Sequence, residues 1–245
     1  MEKRLLIDKI TEYVQDNISK FHNARIQKLS SLKLKKLLQK KNPYLFKAKN
    51  CLTAQDLVEN IARSFMSSAE ETMFGDWLEG LAIFANNIVF NGRKSTTQGI
   101  DLEFDKDNTR YIVSIKSGPN WGNSSQIKKM IEDFNAAKRT LHTSGSTMPV
   151  VFINGCCYGK KGHIYKNGDY YKYCGQDFWT LISGEETFYL DIIKPLGTKA
   201  KEKNEQYQNE YTNMINRFTR DFSNEFCNSD GSIDWEKIVR LNSGE

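Results

Sequence analysis

Asp101, Ser114 and Lys116 are the residues whose types and spacing could do chemistry, and they share one stretch, GIDLEFDKDNTRYIVSIKSGPNWGN, residues 99–123. Alternating apolar and polar positions predict a strand over 100–105, a turn at Asp105-Lys106-Asp107-Asn108 and a second strand over 110–117, together a β-hairpin. Side chains alternate across a strand, so Asp101 and Glu103 share one face of the first strand, and Ser114 and Lys116 one face of the second. A lysine behind the run Tyr111, Ile112, Val113, Ile115 is costly to half-bury without a charged partner, and the two acids are the available partners. An acid, a lysine and the backbone carbonyl of Ile115 suit a hard Mg2+ ion, which prefers oxygen ligands and keeps several waters. The ammonium would orient or help deprotonate one water for in-line attack on a phosphodiester. The plainer alternative is a cross-strand Asp101–Lys116 ion pair of small energetic worth.

The elements around the hairpin must position these groups. Leu6, Ile10, Val14 and Ile18 are spaced as one face of a helix over 3–19, and a second helix over 24–41 stops before Pro43. Residues 42–50 read as a loop whose Tyr44 and Phe46 either pack on the core, the favoured reading, or stack near nucleic acid. Thr53 caps a helix to about Met66, and Ser67 or Ser68, each with a glutamate three residues on, starts another over 69–87. Phe74, Trp77, Leu78 and Leu81 face inward from it, and Glu79 sits beside that stripe; Glu71 falls near its start. Residues 88–90 begin a strand, and the polar loop 91–99 carries Arg93 and Lys94, donors for phosphates or base edges or simply solvated.

Beyond Lys116, a glycine-containing loop holds Asn120, Trp121 and Asn123 before a helix over 124–141 capped by Ser124 or Asn123. Gln126 in its first turn would orient water or phosphate near a metal. The apolar run 148–158 reads as a strand buried on both faces, with the preceding helix as the crossover between parallel strands. Residues 159–177 interleave Lys160, Lys161, His163, Lys166 and Lys172 with tyrosines, a hairpin suited to contact with DNA or, alternatively, merely exposed with no ligand. Two further helices, over 199–226 and 232–241, are available for subunit contacts.

At 245 residues, with 27% charged and 39% hydrophobic residues, the chain can bury one sizeable core. No apolar run approaches the ~20 residues of a membrane span, and the opening residues lack a signal-peptide core, so a cytoplasmic location is expected. Five cysteines in such a chain read as reduced thiols. Cys156, Cys157, His163 and Cys174 lack the C-x2-C spacing of a zinc site. The net charge of +5 conceals a bias: residues 1–50 hold 13 lysines and arginines against 4 acids. Such a surplus attracts a phosphate backbone, or forms an ordinary solvated helix face.

Asp101 followed, after twelve residues, by Ser114-Ile115-Lys116 resembles the PD-(D/E)XK nuclease signature, and Ser117-Gly118-Pro119-Asn120 resembles a stretch of several type II restriction endonucleases. Residues 42–46, 67–72 and 175–179 read like other parts of such enzymes. Two positions depart from the pattern: Ile100 replaces proline, and Ser114 stands where a second acid is usual. The resemblance implies an α/β restriction-endonuclease-like core, a mixed central sheet flanked by helices, with helices added at both termini. It implies a single nuclease domain over 1–245, with a basic helical region at 1–50, a catalytic core at 67–158 and a DNA-contact hairpin and helices at 159–245.

The activity implied is Mg2+-dependent cleavage of double-stranded DNA at a specific short sequence, leaving 5′-phosphates. Asp101 and the Ile115 carbonyl bind the metal, and Lys116 positions the attacking water. The missing carboxylate comes from Glu79, with Glu103 as first alternative and Glu71 and Glu132 behind it. Arg93, Lys94, Asn120, Trp121, Asn123, Lys160 and Lys161 contact DNA. A homodimer is expected because two sites related by a two-fold axis cut both strands of a symmetric sequence, and a cognate DNA methyltransferase belongs to the same system. The rival readings are a repair or junction nuclease on the same core and a catalytically silent DNA-binding module.

Overall fold

Between Lys3 and Ser30 the sequence offers neither glycine nor proline, and in the computed structural model the first helix, α1 (Lys3–Ser30), runs unbroken where two were expected. The structure describes residues 3–143, 147–160, 162–166, 168–197 and 200–244. A separate short helix, α2 (Leu34–Gln39), buries Leu34, Leu37 and Leu38. The expected loop after it is a third helix, α3 (Pro43–Ala48), with proline at its first position and the Asn42 side chain accepting from the Tyr44 and Leu45 N–H groups. Phe46 is buried as expected, whereas Tyr44 is exposed.

The next two expected helices are one, α4 (Ala54–Phe90), opened by Thr53, whose Oγ1 accepts from the Asp56 N–H at 3.1 Å. The predicted second start fails because the Ser68 hydroxyl donates back to the Ser64 carbonyl at 3.2 Å, a bond made inside a continuing helix. Residues 88–90 therefore end α4 instead of opening the sheet.

Then follow β1 (Arg93–Lys94), β2 (Leu102–Lys106), β3 (Thr109–Lys116), α5 (Ser124–Thr143), β4 (Val150–Cys156), β5 (Ile164–Lys166) and β6 (Tyr170–Cys174). The strands form one sheet in the order β1-β2-β3-β4-β6-β5. The hairpin β2–β3 is antiparallel, turning at Asp107 and Asn108, whose φ angles of 50° and 56° lie in the left-handed region that asparagine and aspartate tolerate in tight hairpins. Helix α5 joins the parallel pair β3–β4, as expected of a crossover, and β6 is parallel to β4 in turn. The exposed hairpin expected over 159–177 is thus corrected: β6 lies inside the sheet with Tyr170 and Cys174 buried, and only β5 is at the edge.

One face of the sheet packs Ile112 against Met130, Phe134 and Ala137 of α5. On the other, Phe90 of α4 stacks on Phe104, and Gly155 of β4 faces the Phe178 ring of α6 (Gln176–Ser183), which fills the space a Cβ would need. Gly155→Ala is expected to lower stability by about 1–3 kcal/mol through overpacking, measured as a shift in the denaturant midpoint.

The last helices are α7 (Phe188–Asp191), α8 (Ile193–Leu196), α9 (Ala200–Phe226) and α10 (Trp235–Ser243). The described residues divide into two compact units, 3–18 with 74–197, and 19–73 with 200–244. The first contains the sheet. The second is helical, with a core of Leu29, Leu37, Leu57, Phe218 and Phe222 among others. Polar as α9 is, it buries Tyr207, Met214, Ile215, Phe218, Phe222 and Phe226 within this unit. Among the described residues no helix is long and apolar enough to cross a membrane.

Candidate active site

Asp101 stands one residue before β2, and its N–H still donates to the Val113 carbonyl at 3.0 Å, which holds it in the hairpin. Its Oδ2 accepts from the Ile115 N–H at 2.6 Å, lies 3.4 Å from the Ser114 hydroxyl and 3.7 Å from Lys116 Nζ. The side chain thus takes the ladder position that the end of β2 leaves open. A strand residue turns its N–H and its carbonyl to the same side. The Lys116 carbonyl accepts from Cys157 N–H toward β4, so the Ile115 carbonyl points the other way, toward Asp101.

Lys116 is supported from two sides. Its Nζ is 5.2 Å from the centroid of the Trp121 ring, whose indole N–H donates to Asn154 Oδ1 at 3.2 Å. Asn154 is 2% exposed, and the loop carrying Trp121 is tied down where Lys172 Nζ donates to the Pro119 carbonyl at 2.6 Å. Sequence reasoning misses Asn154, whose signal is a single carboxamide in the apolar run MPVVFINGCCY, and reads Lys172 as a DNA-facing cation where the structure makes it a tie to this loop.

Helix α4 brings the second carboxylate. It can approach closely because Gly75 lies against Ser117, where a Cβ would stand 3.2 Å from the serine Cβ. One turn on, Glu79 is half-buried, and burial followed by the negative charge of Asp101 raises its carboxyl above the ordinary range. A hydrogen bond and the charge of Lys94, then the charge of Lys116, pull it the other way. Lys94 Nζ is 3.3 Å from Glu79 Oε1. Two mutually repelling carboxylates with a carbonyl beside them form an oxygen-only donor set that a hard divalent cation fits. Among the described residues no three His, Cys, Asp or Glu side chains converge as a metal cluster. The set is two acids plus backbone.

The remaining predicted site residues fall elsewhere. Glu103 faces Ile112 across the hairpin and accepts from the Ser95 hydroxyl. Glu71 and Glu132 are exposed, Glu71 on the part of α4 that belongs to the helical unit. Gln126 and Asn123 cap α5 reciprocally: the Asn123 N–H donates to Gln126 Oε1 at 2.9 Å and the Gln126 N–H to Asn123 Oδ1 at 3.1 Å. The Gln126 carboxamide oxygen is therefore engaged by the cap, which replaces the water-orienting role expected of it. Arg93, Lys94, Asn120 and Lys160 are exposed, and Lys161 lies outside the described residues. Cys156, Cys157 and Cys174 are free and buried, burial pushing the Cys156 thiol up to about 12, and His163 stacks on Tyr173 at 5.3 Å.

A carboxylate and a lysine meeting at the open end of a hairpin, inside a mixed sheet flanked by helices, define a restriction-endonuclease-like fold. Residues 8–204, most of the chain, match the model of the family described as Type II restriction endonuclease EcoO109I, and the chain belongs to that family. It is accordingly a type II site-specific deoxyribonuclease acting on double-stranded DNA, in a family whose members require a divalent metal ion. No curated protein matches the chain.

Proposed function

We propose that the enzyme uses Mg2+ and leaves 5′-phosphate ends, with Asp101, Glu79 and the Ile115 carbonyl holding the ion and Lys116 placing the nucleophilic water. The observation that carries this reading is the approach of Lys116 Nζ to Asp101 Oδ2 at 3.7 Å, with Glu79 close enough to sense the charges of both. A bound divalent ion supplies charge neutralisation at the scissile phosphate and acidifies water.

The chain's own residues do the rest. Ser114 and the Ile115 N–H fix the Asp101 carboxylate, and Trp121 and Asp101 hold the ammonium where it can donate a hydrogen bond to an attacking water and stabilise its developing negative charge. Attack in line with the 3′ oxygen leaves the phosphate on the 5′ end. Glu103, bound to Ser95, is the reserve acid. Arg93, Lys94, Asn120, Trp121, Asn123, Lys160 and Lys161 serve as DNA contacts. Cleavage of both strands is assigned to a homodimer, working in the cytoplasm beside a cognate methyltransferase that protects host DNA.

The test is digestion of a defined plasmid with Mg2+, followed by sequencing of the ends. Discrete fragments with 5′-phosphates at one short recurring sequence are expected. Random nicking, 3′-phosphate ends, or cleavage confined to branched DNA would overturn the proposal.

A further inference from the structure

The helical unit carries a feature that the catalytic reading does not use. Between Asp16 and Asp56 the sequence holds ten lysines and arginines and no acid. Part of this charge converges on a cleft of about 670 Å³ among α1, α2 and α4, floored by Phe65 and edged by Ser68. Lys28 and Lys40 both reach over the Phe65 ring, 5.7 and 5.3 Å from its centroid. A smaller pocket of about 170 Å³ shares these three residues and adds Lys33 and Lys36. None of the four lysines is paired with a carboxylate among the described residues. Of the two acids on the adjoining turn of α4, Glu70 is taken by Arg25 at 2.8 Å, and Glu71 does not line the cleft.

Gathering ammonium groups around one ring without a counter-charge works against folding through their mutual repulsion, and a bound polyanion relieves it. The arrangement is open rather than enclosed and is lined mainly by flexible point charges and hydroxyls, with Gln27 as its single carboxamide and no arginine fork to read base edges. We infer that this cleft is a binding site for the phosphodiester backbone of duplex DNA, independent of sequence, and that it belongs to the helical unit and shares no residue with the Asp101–Lys116 site. Its role is to hold DNA electrostatically, where affinity is governed by release of counterions.

The test uses the full-length protein in EDTA, so that no cleavage occurs, with a short fluorescein-labelled duplex of arbitrary sequence, followed by anisotropy at increasing salt. Replacing Lys28, Lys36 and Lys40 together by glutamine is expected to weaken binding at least about tenfold at low salt. It should also reduce the slope of log K against log salt by about 2–3, since each phosphate that is no longer neutralised removes about 0.9. The arginine version of the same triple variant should retain the wild-type slope. A control triple, Lys35, Lys47 and Lys49 to glutamine, removes the same charge from the same acid-free stretch but outside the cleft. An unchanged slope in the cleft variant, or an equal loss in the control, would overturn the assignment. Because no metal is present, failure here is distinct from failure of the catalytic proposal.

Discussion

Replacing Lys116 by alanine is expected to lower the cleavage rate by about 10²–10⁴-fold, the range associated with losing a positioned acid–base group, while DNA binding without metal persists. The reasoning starts from what Nζ touches. It lies 3.7 Å from Asp101 and over Trp121, with 30% of the side chain exposed. A pair this accessible to water contributes about 1 kcal/mol or less to stability, so the variant should unfold near the wild-type temperature. What disappears is a cation held at a fixed point beside the candidate metal-binding carboxylate, which is a catalytic loss rather than a structural one. Single-turnover cleavage of a plasmid, alongside anisotropy in EDTA, separates the two. Retained cleavage in Lys116→Ala would leave the Asp101–Lys116 contact as a mere ion pair and remove the central element of the proposed mechanism.

The hairpin is legible in the sequence because its signals are local. Alternation over 100–105 and 110–117, with Asp107-Asn108 between them, depends on neighbours a few residues apart, and the register Leu102↔Val113 follows from it. Glu79 ranks first among the acids because it adjoins the apolar stripe of Trp77, Leu78 and Leu81, all buried in the structure. Its partner is not legible in the same way. Lys94 reads as a loop donor for DNA, and its contact with Glu79 exists only because β1 pairs with β2 so that Lys94 stands opposite Leu102.

The segments that depart from expectation share a physical reason: the same residue types serve two structures. Ser67-Ser68 followed by two glutamates is both a capping box and an ordinary interior turn, and the interior wins because Ser68 bonds the Ser64 carbonyl. Asn42-Pro43 reads as a breaker from the left and as a cap with proline at the first helical position from the right. Tyr170 to Cys174 looks solvent-facing from its lysine and tyrosines, yet tyrosine is apolar along most of its length, and Lys172 finds a backbone carbonyl within the unit. The division into two units falls within α1 and α4, whose two ends belong to different units, and no break in the helical pattern marks it.

Glu79→Gln is expected to remove most cleavage, by about a hundredfold or more if it acts as one of two charged ligands, and at the same time to stabilise the metal-free protein. The two effects have one origin. Burial, and then the charge of Asp101, raises the folded-state pKa of Glu79 above its ordinary value of 4.5. The folded protein therefore holds the proton more tightly than the unfolded chain. Stability from this group is fully present below about pH 4.5 and is lost as pH rises through the raised folded value. At neutral pH the ionised carboxylate is a net liability, eased only in part by Lys94 and Lys116. Glutamine keeps the shape and has no charge to desolvate. Its advantage in melting temperature should be present at pH 7 and vanish toward pH 4, measured in EDTA by thermal unfolding at several pH values. Added Mg2+ or Mn2+ should then raise the melting temperature of the wild type more than that of the variant, because the cation supplies the counter-charge that Glu79 lacks. Lost cleavage without this reversal would mean that Glu79 supports the fold of α4 and not the ion. Intact cleavage would move the second carboxylate to Glu103, whose replacement by glutamine would then be the inactivating change.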